Sequence, residues 1–221
     1  MFYKLWDAGL LQLGVWETVY MTLISTVFAY LFGLPLGVIL CVTDKGGVHP
    51  VPWLNTLLGF IVNFFRSIPF IVLMVAMLPV SKWIVGTSLG NRAVIVMLVI
   101  AATPYVARMV EGSIKEVSAG VIEAAQSMGA NNFQIISKVL IPEAKPSLIN
   151  GAVISMVTIL GYSAMAATIG GTGLGQIAIV YGHQRFNPDI KWLCVILLYL
   201  IVQIIQMIGM RIVRKTDKRS R

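Results

Sequence analysis

The chain alternates between long apolar stretches and short polar breaks. Thr18 to Val42 carries no charged residue, and Leu54 to Ser81 carries one, Arg66. Ala93 to Ala107 is uncharged, and Met109 and Val110 continue the apolar character past Arg108. Pro146 to Gln184 is again uncharged, but only Ser147 to about Ile169 is apolar enough to cross a bilayer, because Gly170 to Gly175 interrupts it. Trp192 to Met210 is the last run. A membrane-crossing helix needs roughly 20 apolar residues. The pattern predicts one all-α polytopic domain over 1–221, with spans at about 18–42, 54–80, 92–112, 146–169 and 191–212. The first run is too long and too polar at its flanks to be a cleaved signal peptide.

Composition agrees. Of 221 residues, 57% are apolar and 12% charged, with a mean hydropathy of +0.85, against about 25% charged in a soluble domain. A disordered tail is excluded and a soluble enzyme is disfavoured. The net charge of +8 could suit nucleic acid or anionic lipid, and its placement decides. One side of a five-span chain holds Lys45, Lys115, Lys138, Lys145, Arg211, Arg214, Lys215, Lys218, Arg219 and Arg221. The other holds Lys4, Lys82, Arg92, Arg185 and Lys191. Basic residues favour the cytoplasm, so the C-terminus is expected inside and the N-terminus outside. The charge is then a topology and lipid-surface signal, and no nucleic-acid partner is expected.

Candidate chemistry is sparse. Cys41 and Cys194 sit in apolar runs and suit packing, while His49 and His183 are far apart and lack partner cysteines, so no metal site is expected. No Ser-His-Asp set, His-Glu-x-x-His or useful carboxylate pair is present, so no catalytic residue is assigned. Gly170 to Gly175 resembles a phosphate loop only superficially, because no Lys-Ser or Lys-Thr follows it; an external turn is expected there. Pro35, Pro69 and Pro104 punctuate three runs. Proline bends a membrane helix and is tolerated where neighbours or water satisfy the freed carbonyl, as in the broken helices of transporters; it is also simply commoner in membrane helices. Arg66, about 18 Å into its run at 1.5 Å per residue, should face the bundle interior or water, lining a path or pairing with a carboxylate. Asn150, Ser155, Thr158 and Tyr162, with Ser163, give the fourth run a polar line, which suits either a path or ordinary helix packing.

The polar stretch between the third and fourth runs, about 113–145, has its own order. Val121, Ala124, Ala125 and Met128 recur at helical spacing, and Gly129 is a natural stop. Asn131 or Asn132 can cap a second helix carrying Ile135, Ile136, Val139 and Leu140, and Pro142 is expected to limit it. Two short helices meeting at a cytoplasmic corner follow. Small Ala124 and Ala125 would admit a partner closely, and Glu123 offers it a carboxylate; an interfacial helix that merely covers the bundle is the alternative.

Glu123-Ala124-Ala125, three residues, Gly129, nine residues, then Val139-Leu-Ile-Pro142 resembles the EAA motif of ABC importer permeases. Gly14-Val-Trp-Glu-Thr18, Phe65-Arg-Ser-Ile-Pro-Phe-Ile71, Gly86-Thr-Ser-Leu-Gly90, Pro104-Tyr-Val-Ala-Arg-Met-Val-Glu111, Gly161-Tyr-Ser-Ala-Met165 and Gly173-Leu-Gly-Gln-Ile177 resemble the methionine-uptake branch. Ser67-Ile-Pro69 stands where a branch for polar amino acids usually has Gly-Thr-Pro, and Val139 stands where isoleucine is commoner. The resemblance implies a type I ABC importer transmembrane fold in a bacterial cytoplasmic membrane. It implies ATPase coupling through Glu123, Ala124, Ala125, Gly129 and Pro142. It also implies a pathway past Arg66, Ser67, Pro69, Asn150, Ser155, Thr158, Tyr162 and Ser163, with Met165 as an outer gate. The implied partners are a second copy, two cytoplasmic ABC ATPase subunits that carry the ATP and magnesium, and an extracytoplasmic substrate-binding protein or lipoprotein. No cofactor is expected on this chain. Uptake of another small amino acid or a dipeptide is the alternative, and ATP-independent secondary transport a more distant one.

Overall fold

The structure is a computed structural model that describes residues 9–217. Lys4, Lys218, Arg219 and Arg221, used above to orient the chain, lie outside the described residues. Those residues form helices and connecting turns: α1 (Leu10–Thr43), α2 (Pro52–Ser67), α3 (Phe70–Ala76), α4 (Leu78–Val85), α5 (Asn91–Lys115), α6 (Ala119–Ser127), α7 (Asn132–Ile169), α8 (174–184) and α9 (Pro188–Thr216). Helices α1, α5, α7 and α9 are each long and apolar enough to cross a bilayer, and the bent pair α2 and α3 meets the same measure only when the two are taken together.

The second apolar run is therefore not one straight helix. Its two halves meet at 104°. Pro69 has no N–H to give and forces the residue before it out of the α region; Ile68 is extended at φ −85°, ψ 127°. The chain leaves α2 at Ser67, turns sharply through α3, and resumes as α4.

Helices α1 and α5 form the central pair. Gly14, Thr18, Thr22, Ala29, Gly33 and Gly37 make a small-residue stripe down the buried face of α1. Small residues let two backbones approach closely in lipid. A Cβ on Gly33 would come 2.7 Å from Val106 Cγ1, and one on Gly37 would run into the Ala107 carbonyl. The hydroxyls of Thr18, Thr22 and Thr26 each donate to the carbonyl four residues back, at 2.7 Å, so none of them enters the apolar core unsatisfied. Leu40, Val62 and Ala107 then seal α2 over this pair.

Helix α7 runs 38 residues, about 57 Å at 1.5 Å per residue, against a hydrocarbon core of roughly 30 Å. Its first turns therefore stand clear of the apolar layer. Pro142 does not end it, contrary to the sequence expectation. Residues Ile135–Leu140 form a π-helical segment, whose wider turn gives the proline ring room against the carbonyls one turn back. The glycine-rich turn after α7 is tied down: Thr172 N–H donates to Asn91 Oδ1 at 2.8 Å, Asn91 Nδ2 donates to Thr172 Oγ1 at 2.6 Å, and Leu174 N–H donates to Thr18 Oγ1 at 2.9 Å.

Candidate functional site

The corner between α5 and α7 is built from local capping chemistry. At the end of α6, Gly129 sits at φ +79°, a conformation that suits glycine. Its N–H donates to Gln126 O at 2.9 Å while Ala130 N–H donates to Ala125 O at 3.1 Å, a complete Schellman closure. Two residues on, Asn131 and Gln134 cap each other reciprocally at 2.9 Å, a capping box that starts α7.

Exposure sorts the corner into two faces. Ala125 is buried, and Ile122 and Ala130 pack with it against the core cluster of Val117, Ile135 and Leu140. Glu123, Ala124, Gly129 and Pro142 are exposed. Ala124 and Ala125, paired in the sequence reading as one docking pair, thus serve opposite faces: Ala125 closes the corner from inside and Ala124 points out. Val121 (41% exposed) and Met128 (81%) join Ala124 outside, and Phe133 (77%) is exposed in the first turn of α7. An apolar surface of this kind on an otherwise polar corner suits a partner protein. Phe133 escapes a periodicity argument because it belongs to the capping turn rather than to either helix face.

A chain of charges sits immediately before this corner, and the sequence reading did not find it. Lys115 Nζ donates to Asp44 Oδ2 at 2.6 Å and to Glu111 Oε1 at 2.9 Å. Arg108 Nη1 donates to Glu111 Oε2 at 2.6 Å, and Arg108 Nη2 donates to Asn63 Oδ1 at 3.0 Å and Gly59 O at 3.3 Å. Glu111 is buried and bridges two cations, so each of its oxygens has a positive partner that offsets the cost of burial. The chain links the α1–α2 loop, the last turns of α5 and the middle of α2. The Lys115 ammonium, with help from the Lys45 N–H, holds the Asp44 carboxyl below the ordinary carboxylate value. Glu111 is therefore engaged by Arg108 and Lys115 and not by Arg66.

Arg66 and Ser67 end α2, and Pro69 begins α3. All three are exposed on this single chain. Arg66 lies in the last turn of α2, where the helix dipole favours a cation, and has no ion pair among the described residues. Ser67 Oγ donates to Asn63 O at 2.8 Å. Just past the break, Phe70 stacks on Tyr162 of α7, centroids 4.5 Å apart and planes 6° from parallel. Arg66, Phe70, Tyr105 and Tyr162 line one cavity of about 140 Å³, so the break brings Arg66 and Tyr162 to the same place. The rest of the polar line divides. Ser155 and Ser163 are buried, donating to Gly151 O and Leu160 O at 2.8 and 2.7 Å, which is packing geometry. Thr158 is half-buried and donates to Ile154 O. Asn150 is half-buried beside a cleft near the C-terminal ends of α5 and α9. Met165 is exposed at the far end of α7.

The chain is similar to known transport proteins over nearly its whole length. The sequence model of the family described as binding-protein-dependent transport system inner membrane component matches residues 33–221. A probable D-methionine transport system permease protein MetI of Vibrio cholerae is 50% identical over 213 residues, 96% of this chain and 95% of that protein. Its counterpart in Pasteurella multocida is 42% identical over 216 residues, 98% of this chain and 99% of that protein. Among solved structures, inward-facing conformations of the MetNI methionine ABC transporter superpose with a TM-score of 0.93 at 47% identity, covering 95% of this chain and 97% of the other.

Proposed function

Because the chain belongs to the family of binding-protein-dependent transport system inner membrane components, we propose that it is the permease subunit of an ATP-driven ABC importer that carries methionine across the cytoplasmic membrane of a bacterium. Its methionine-transport relatives support that substrate. ATP is hydrolysed on a separate cytoplasmic subunit, and two copies of this chain enclose the path, with an extracytoplasmic binding protein delivering the substrate.

The observation that carries this reading is the outward apolar surface of Val121, Ala124, Met128 and Phe133 on a rigidly capped corner. Such a surface is costly in water and useful against a partner. Three residues, Glu116 to Ser118, separate α6 from α5, so a push on α6 is delivered to α5 with little slack. Arg108 passes the displacement to α2, and Lys115 passes it to the α1–α2 loop. The last turn of α2 carries Arg66 beside the Tyr162 cavity. ATP-driven closure of the ATPases thus moves the half-helix that borders the path, and the permeases alternate between inward-open and outward-open. Glu123, Ala124, Gly129 and Pro142 belong to the docking side and Ala125 to its support, while Arg66, Ser67, Pro69 and Tyr162 border the path.

Bulky substitutions on the outward face test this directly. Ala124→Trp and Met128→Arg together should leave the permease folded yet release the ATPase subunits during purification and abolish uptake. Normal co-purification and uptake would contradict the docking role.

A further inference from the structure

The bend in α2 uncovers a trough. Up to Phe65, α2 lies over the α1–α5 pair, sealed by Leu40, Val62 and Ala107. Beyond Ser67 the chain turns by 104°, and the strip of α1 and α5 that a straight helix would have covered is left open. A trough of about 820 Å³ results, lined by Phe28, Phe32, Val96, Val99, Ile100 and their neighbours, with a wall that is almost wholly apolar. A path for a zwitterionic amino acid would be polar, so the trough is not that path.

Its one charged lining residue is Arg92, in the first turn of α5. Arg92 is exposed and makes no hydrogen bond or ion pair among the described residues. Along α5 the trough runs from Arg92 to Pro104, about 18 Å at 1.5 Å per residue. That is about half of a hydrocarbon core of roughly 30 Å, the depth of one leaflet. A slot one leaflet deep, apolar along its length and cationic at its interfacial end, is complementary to one amphiphile with an anionic head.

We propose that this trough holds an acyl chain of an anionic glycerophospholipid from the leaflet on the Arg92 side, with the lipid phosphate on the Arg92 guanidinium. The lipid fills the space left by the broken helix and supports α1 and α5 where α2 no longer does. The site is independent of what the protein transports.

Native mass spectrometry of the whole transporter, purified from membranes and re-equilibrated with equal phosphatidylglycerol and phosphatidylethanolamine, tests the proposal. The wild type should retain phosphatidylglycerol preferentially. Arg92→Gln should lower that retention about fivefold, the effect of one basic side chain at an anionic lipid surface. Val99→Trp, which fills the trough, should lower retention of both lipids, and Arg185→Gln, at a cation outside the trough, should leave both unchanged. Unchanged phosphatidylglycerol retention in Arg92→Gln would overturn the proposal. So would efficient cross-linking of Val99→Cys between two copies of the permease, because a second chain would then be the occupant.

Discussion

Arg108 and Glu111, one turn apart on α5, hold each other at 2.6 Å where that helix leaves its apolar run. Glu111 also holds Lys115, so removing its carboxylate takes an ionic partner from two cations at once, although Lys115 keeps Asp44 and Arg108 keeps Asn63. Breaking a buried pair by deleting one partner is more damaging than the pair is stabilising, and the partial exposure of Arg108 moderates the cost. Glu111→Leu should lower the stability of the permease by about 2 kcal/mol, read as a lower unfolding temperature of the purified transporter. Glu111→Gln should recover part of it by accepting from Arg108.

The Asp44–Lys115 contact should respond to acid. The Asp44 carboxyl is held below its ordinary value, chiefly by the Lys115 hydrogen bond. Its contribution is therefore fully present above the ordinary carboxylate range and is lost as pH falls through the depressed value. A spin label on His49→Cys, in the α1–α2 loop, should gain mobility as the pH is lowered through that window. Asp44→Asn should make the loop mobile at neutral pH and abolish the acid-dependent change.

Two glycines should respond oppositely. A Cβ on Gly37 collides with the Ala107 carbonyl and Val110, both in the helix pair at the centre of the fold. Gly37→Ala should cost about 1–3 kcal/mol through overpacking and lower the yield of folded protein. Gly120 lies inside α6 with only Ser118 Oγ near, at 3.8 Å. Gly120→Ala should raise the unfolding temperature slightly, because alanine favours a helix interior by roughly 0.5–1 kcal/mol.

Gly129 separates backbone strain from docking. Nothing lies within 4 Å of a Cβ there, but φ is +79°. Alanine should cost about 1–2 kcal/mol, whereas asparagine tolerates the left-handed region better. Gly129→Asn should keep the stability of the wild type while its side chain intrudes on the docking face. Comparing unfolding temperature with ATP-driven uptake checks this: stability should hold and uptake should drop.

Much of this arrangement is legible in the sequence because the bilayer permits few solutions. Every backbone polar group must be satisfied internally, so long apolar runs report helices such as α1 and α9 directly. Gly129 and Asn131 mark the corner because caps are local chemistry. The Ile68–Pro69 step signals a break but not its direction, which depends on what α3 packs against. In a helix of nine residues apolar side chains cover both sides, so the spacing of Val121, Ala124, Ala125 and Met128 could not tell that Ala125 turns inward. Arg108, Glu111 and Lys115 recur at i, i+3 and i+7, a pairing signal within one helix, yet Asp44 lies 71 positions from Lys115 and only the fold brings them together. The stripe from Gly14 to Gly37 was equally present and says which face of α1 is buried.

The central claim is that this chain moves methionine only when a separate ATPase hydrolyses ATP. Reconstitution of the permease with its ATPase subunits in liposomes, with binding protein and labelled L- or D-methionine on the extracytoplasmic side, tests it most directly. Methionine should accumulate when ATP is supplied on the ATPase side, and Ala124→Trp with Met128→Arg should abolish that accumulation. Accumulation without ATP, driven by an imposed ion gradient and indifferent to those substitutions, would contradict it.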